Sequence, residues 1–178
     1  MPAGSSGVLL LWPITLLNTL LWRCSMDKKD IQILTLLQQD ASLSLNDLAN
    51  AVNLSPTPCW RRVQRLWDSG VIQKQVTLCN PASLKLGVTV FVAVRTSQHN
   101  EEWTQLFVKG TRTIPEIVEI YRMTGDIDYL LKIVVSDIAG YDAVYKKLIK
   151  EVELQDVSAG FAMEVIKYTT ALPLDHLM

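Results

Sequence analysis

Apolar residues recur at helical spacing through the first third of the chain and at strand spacing beyond it. Over residues 27–39, Ile31, Leu34 and Leu37, flanked by Ile33 and Leu36, fall on one helical stripe, with Asp27 at the end where the helix dipole favours an acid. Ser44 then precedes Leu45, Leu48 and Val52 at i, i+3 and i+7, with Asp47 three residues after Ser44 as a capping partner, so a second helix runs to about Val52. A break at residues 53–56 leads into SPTPCWRRVQRLWDSG, residues 55–70. Ser55 or Thr57 supplies a side-chain cap there, Pro56 or Pro58 fits a first turn that needs no amide hydrogen, and Gly70 stops the helix. Cys59, Val63 and Leu66 form its buried stripe, which leaves Thr57, Arg61, Arg62, Gln64 and Arg65 pointing elsewhere. Next, VIQKQVTL, residues 71–78, reads as a strand forming a small wing whose Lys74 reaches a phosphate; Asn80 and Pro81 end it.

Strand spacing takes over at residues 88–95, VTVFVAVR, where Val88, Val90, Val92 and Val94 face one side and Phe91 and Ala93 the other. Residues 129–135, YLLKIVV, repeat the pattern with only Lys132 breaking it. Around these, Trp103, Leu106 and Phe107 mark a helix and residues 117–123 a strand. Tyr141, Val144, Tyr145, Leu148 and Ile149 mark a second helix begun by Asp137, and residues 161–166 a last strand. The order βαββαβ predicts a ferredoxin-like sheet with both helices on one face. Strands apolar on both sides need a second cover, and a second copy of the same sheet supplies it, which predicts an obligate homodimer. The expected class is α+β: a winged helix-turn-helix over residues 26–80, a linker over 81–87, and a ferredoxin-like regulatory and dimerisation domain over 88–178.

The first 25 residues stand apart. Their apolar core, residues 8–22, is shorter than the roughly 20 residues a bilayer span takes, and no lysine or arginine precedes it as in a secretory signal. The preferred expectation is an upstream extension, with the natural product beginning at Met26; the alternative is a membrane-interfacial anchor. Across all 178 residues, 49% apolar and 20% charged, the net charge is -1, which gives no global attraction for DNA. Residues 26–80 carry a slight basic excess and residues 81–178 an acidic one, so three clustered arginines matter more than either total. Cys24, Cys59 and Cys79 have neither zinc nor redox spacing, which implies a reduced cytoplasmic protein with no structural metal and no cofactor. His99 and His176 are placed near no nucleophile or metal partner, so no enzyme is expected.

A helix carrying three arginines and a glutamine on its free face is, taken alone, an ordinary solvated surface. As the second of two short helices joined by a turn, it becomes the recognition helix of a helix-turn-helix, whose side chains suit phosphates and the edges of guanine and adenine. The run LNDLANAVNLSPTPCWRRVQRLWDSGVI, residues 45–72, resembles the DNA-binding half of the leucine-responsive and asparagine-responsive (Lrp/AsnC) regulator family. That resemblance implies phosphate and base contacts from Thr57, Arg61, Arg62 and Arg65. Trp67 departs from the acidic residue common in the family; Trp60 and Trp67, seven apart, are read as packing against the wing or a partner subunit.

The resemblance extends over residues 26–173 and identifies the second half as an amino-acid-responsive domain. Its most specific local mark is TGDIDY, residues 124–129. A free amino acid needs a carboxylate for its ammonium and amides or a hydroxyl for its carboxylate, and Thr124, Gly125, Asp126 and Asp128 offer these, with Tyr129 completing the expected set. The plain alternative is a glycine turn with solvated aspartates. PCW at residues 58–60, YRMTGDIDYLL at 121–131 and GFAMEVIKYTTALPL at 160–174 are most similar to the branch that activates cysteine detoxification, which implies cysteine as effector.

The function expected is sequence-specific transcription regulation. Dimers place two recognition helices in successive major grooves, and an amino acid at the Gly125 turn alters assembly into larger oligomers. Two alternatives are an architectural DNA-wrapping protein without an effector and an amino-acid-sensing subunit of an enzyme; the arginine-bearing helix argues against the second.

Overall fold

The computed structural model describes residues 26–177 except 99, 152 and 153. The apolar leader, residues 1–25, and His99 therefore lie outside the described residues. The chain divides into two compact units, residues 26–76 with 169–177, and Thr77–Tyr168.

The first unit holds helices α1 (Lys28–Gln39), α2 (Leu45–Ala51) and α3 (Pro56–Asp68). Asp27 caps α1 in a reciprocal box: its side chain accepts from the amides of Lys29 and Asp30, and Asp30 accepts from the amide of Asp27. Ser44 caps α2 by accepting from the Asp47 amide at 3.1 Å. At α3 the expected side-chain cap is not made. Ser55 is the capping residue but makes no side-chain hydrogen bond, and prolines in the first turn remove the amide that would have needed one. Gly70, at φ +72°, follows α3 in a conformation that favours glycine. Ile33, Leu34, Leu48, Ala49, Val52, Cys59 and Leu66 form the core.

The expected strand over residues 71–78 does not form. A strand needs a hydrogen-bonding neighbour, and among the described residues none pairs with this stretch; Val76 and Leu78 are each 59% exposed. The chain's last residues also depart from the expected division. Residues 169–177 group with the helical unit, where Leu174 packs against its core and Gln38 bonds the Leu172 amide at 2.7 Å.

The second unit is the βαββαβ arrangement: β1 (Val88–Arg95), α4 (Glu101–Arg112), β2 (Ile117–Arg122), β3 (Tyr129–Val135), α5 (Ile138–Glu151) and β4 (Asp156–Phe161). The sheet is antiparallel in the order β2-β3-β1-β4. Val90, Val92 and Val94 of β1 and Tyr129, Leu131, Ile133 and Val135 of β3 are buried beneath both helices, whose Trp103, Phe107, Val144 and Leu148 complete the core. On the opposite face Phe91 is 41% and Tyr121 49% exposed, so the described residues leave the apolar side chains there without full cover. Asp137 begins α5 by accepting from the Gly140 amide at 2.7 Å.

The last strand lies earlier than the apolar run predicts. β4 pairs Asp156 with Arg95 and Phe161 with Val90, whereas Met163, Val165, Ile166 and Tyr168 are solvent-exposed. The short connection after α5 delivers residue 156, not residue 161, to the end of β1. Pairing therefore uses the polar DVSAGF segment.

Three aromatic rings cluster in this core, Trp103 and Phe107 stacked and Tyr129 tilted against both. Phe107 lies 5.0 Å from Trp103 and 4.5 Å from Tyr129, centroid to centroid. Phe107→Ala is expected to destabilise this unit by about 3–5 kcal/mol. Leu106→Ala, on the exposed side of the same helix, should change stability by less than about 0.5 kcal/mol. Urea unfolding of the two variants tests the contrast.

Candidate nucleic-acid interface and effector turn

Helix α3 turns Cys59 and Leu66 fully inward. Burial in apolar surroundings pushes the Cys59 thiol pKa up, so it behaves as a small hydrophobe and not as a reactive thiol. The opposite side presents Thr57, Arg61 and Gln64, all exposed, and Lys74 is exposed after the helix. Trp60 is 51% exposed on the edge of that stripe, and with no strand over residues 71–78 there is no wing strand for it to pack against.

The arginines are not equivalent. Arg62 Nη1 lies 2.7 Å from Asp27 Oδ2 and 2.9 Å from Asp30 Oδ1, and Arg65 Nη2 lies 2.5 Å from Asp30 Oδ2. Asp30 has no solvent exposure, while the two arginine side chains keep 26% and 48% of theirs. The Asp30 amide and the Arg62 guanidinium hold the Asp27 carboxyl below the usual carboxylate range, and Asp27 followed by Asp30 raises the pKa of Arg62. Arg62 and Arg65 thus tie α3 to α1, and Arg61 lies on the exposed stripe.

Asp27 and Asp30 escaped the sequence reading as a site. Two signals were present: the Asp-x-x-Asp capping spacing, and the position of Asp30 four and seven residues before Leu34 and Leu37, in the apolar register of α1. A carboxylate on a buried stripe needs partners, and arginines are the natural ones.

In the second unit, residues 123–128 join β2 to β3. Gly125 has φ +107° with open space where a Cβ would project. The turn is anchored to the end of β1: Arg95 Nε donates to the Asp126 carbonyl at 2.7 Å, and Asp128 Oδ2 accepts from the Thr96 amide at 2.8 Å. Thr124, Gly125 and Asp126 are exposed, and Asp128 is half-buried. Tyr129 departs from the expected set, because its ring is buried against Trp103 and Phe107 and its hydroxyl lies 3.4 Å from Thr104 Oγ1. Strand alternation puts the first residue of β3 under the helices. The four turn residues stay together, and Tyr129 supports them from the core.

Near the centre of the uncovered sheet face, Lys132 Nζ lies 2.8 Å from Glu119 Oε1 and sits over the Tyr168 ring. Lys132, then the Tyr121 hydroxyl, lower the Glu119 pKa. His176 lies exposed in a terminal 3-10 turn. Among the described residues no cluster of His, Cys, Asp or Glu could hold a metal ion, and no helix is long and apolar enough to cross a membrane.

Two family models match the chain: a winged helix-turn-helix DNA-binding domain over residues 26–73, and an Lrp/AsnC ligand binding domain over residues 89–172. The chain is 47% identical over 151 residues to the DNA-binding transcriptional activator DecR of Escherichia coli K12, covering 84% of this chain and 99% of that protein. It is also 47% identical over 149 residues to the glutamate uptake regulatory protein of Zymomonas mobilis, covering 84% and 91%. Among solved structures, an AsnC family transcriptional regulator from Agrobacterium tumefaciens superposes with a TM-score of 0.84 at 52% identity, covering 86% of this chain and all of that one. A transcriptional regulator from Neisseria meningitidis in complex with L-Met gives a TM-score of 0.82 at 34% identity, covering 86% and 99%.

Two outcomes test the carboxylate–arginine cluster. Asp30→Ala leaves two arginines without their buried partner, but both retain access to water, so the expected cost is about 2 kcal/mol by thermal or urea unfolding. Because the folded pKa of Asp27 is depressed, its stabilising contribution is present above the ordinary carboxylate pKa. It is lost as pH falls through the lower folded value. Melting temperature followed from neutral pH into acid should therefore fall less steeply for Arg62→Met than for the wild type.

Proposed function

The chain belongs to the Lrp/AsnC family of DNA-binding transcriptional regulators, and from that footing we propose that α3 reads an operator while the Gly125 turn senses a small amino acid. Members of this family are regulators of transcription and not enzymes, and they typically work as homodimers or larger oligomers. The DNA half of the proposal is carried by one observation: Thr57, Arg61 and Gln64 form an exposed polar stripe on the second helix of a helix-turn-helix, opposite buried Cys59 and Leu66. Such a helix presents its N-terminal side chains to base edges in the major groove. Arg61 suits the two acceptors of guanine and Gln64 the donor–acceptor pair of adenine. Lys74 is assigned to phosphate. Arg62 and Arg65 set the angle of the helix through Asp30 and reach phosphate with the part of each side chain that remains in solvent.

For the effector, the ammonium is assigned to the exposed Asp126 carboxylate, and the effector's own carboxylate to the Thr124 hydroxyl and the backbone at Gly125. Asp128 holds the turn's shape through the Thr96 amide, so it positions the site. Cysteine is the first effector to test. Glutamate and methionine follow, since one relative is named a glutamate uptake regulatory protein and another was solved in complex with L-Met. The uncovered sheet face and the exposed apolar residues after β4 supply the surface for a second copy of the chain, and amino-acid binding then alters the assembly that occupies DNA. A regulator of this kind acts beside the DNA, in the cytoplasm.

Arg61→Ala is expected to weaken operator binding by about 1–3 kcal/mol without unfolding the protein. Unchanged affinity would remove Arg61 from the interface. In Asp126→Ala, DNA binding should persist while its response to amino acids disappears. Titration of a labelled promoter duplex with and without each amino acid checks both; binding that no amino acid alters would favour an architectural DNA-wrapping protein.

A further inference from the structure

We propose that Trp60 is a specificity-determining residue that contacts the 5-methyl group of a thymine in the major groove. The inference rests on the reading of α3 as the recognition helix, and it adds an apolar contact to the polar ones already assigned. Trp60 is 51% exposed although it belongs to a helix whose opposite side is fully packed. Trp67, seven residues on and on the same side of the helix, is half-buried by comparison. Thr57 lies one turn before Trp60, Gln64 one turn after it, and Arg61 beside it, so the indole borders the polar stripe near the N-terminal end of the helix. Side chains at that end of a recognition helix are the ones that reach base edges.

The chemistry of the indole narrows what it can recognise. It has one N–H donor and no acceptor, so it cannot pair in two-point fashion with guanine or adenine. Its large apolar face is matched in the major groove by the thymine methyl, the apolar group on those base edges. Contact with sugar or phosphate would bury the ring but carry no sequence information. With Arg61 and Gln64 on purines, Trp60 on thymine gives neighbouring side chains complementary base preferences.

The test enriches a random-sequence duplex library on the full-length wild type, Trp60→Ala and Arg61→Ala, with circular dichroism confirming that each variant is folded. Trp60→Ala is expected to lose one thymine preference per half-site and to keep the guanine preference that Arg61→Ala loses. Replacing that thymine with deoxyuridine, which removes only the methyl, should weaken wild-type binding about three- to tenfold and leave Trp60→Ala unchanged. Identical enriched motifs for wild type and Trp60→Ala, or wild-type binding indifferent to deoxyuridine, would overturn the assignment while leaving the DNA reading intact. A Trp60→Ala protein that binds all sequences equally weakly and dissociates on size exclusion would overturn it in favour of a subunit contact. Failure of the wild type to enrich any sequence would overturn the recognition-helix reading and this inference with it.

Discussion

The carboxylate of Asp30 sits where water cannot reach it, and such a group is tolerated only with hydrogen-bond donors arranged around it. Here they are the Asp27 amide and the guanidinium groups of Arg62 and Arg65. The first belongs to the start of α1 and the others to the middle of α3, so one buried side chain sets the angle at which the recognition helix leaves the core. Apolar packing of Cys59 and Leu66 with Ile33 and Leu34 holds the same two helices, and the ion pairs add directional contacts to it. Two of three arginines are thereby committed first to the protein. Arg61 is left as the arginine of this helix with no carboxylate partner in the cluster, among neutral polar and aromatic neighbours.

The second unit applies the same economy to its turn. Residues 124–128 would be a free loop if only β2 and β3 held them, but Arg95 and Thr96 at the end of β1 fasten the Asp126 carbonyl and the Asp128 carboxylate. The turn is thus referred to the central strand, which pairs on both sides. Beneath it, Tyr129 links the first residue of β3 to the aromatic stack of α4. A turn supported from two directions is already ordered, so under the proposed effector reading little binding energy would go into ordering it.

Elements defined by their own periodicity were legible in the sequence. The boundaries expected for β1 and β3 match those observed, and those of α1, α2 and α3 differ from expectation by a residue or two. The misreadings share a cause: each depended on a partner that local pattern does not contain. Residues 71–78 have strand composition but no neighbour to pair with. Residues 161–166 have the apolar content of a strand, but loop length and the register of β1 select 156–161 instead. The basic helix is visible in the local pattern, yet the division of its arginines is not, because Asp30 lies 32 and 35 residues away. Tyr129 was grouped with the turn by adjacency, and alternation along β3 sent it to the core.

The return of residues 169–177 to the helical unit means that the chain leaves that unit at Val76 and re-enters it at Thr169. Gln38 and Leu172, 134 residues apart in sequence, exchange hydrogen bonds within one unit. In an unfolded chain, closing so long a loop costs conformational entropy before any contact repays it. Once the sheet has formed, most of the intervening residues are ordered and the ends are confined. Folding of the inserted sheet therefore shortens the effective loop, and the last turn of the helical unit inherits its order from a domain of different architecture. Unfolding of the sheet should loosen that tail first, while α1, α2 and α3, whose contacts are nearer in sequence, retain their own core.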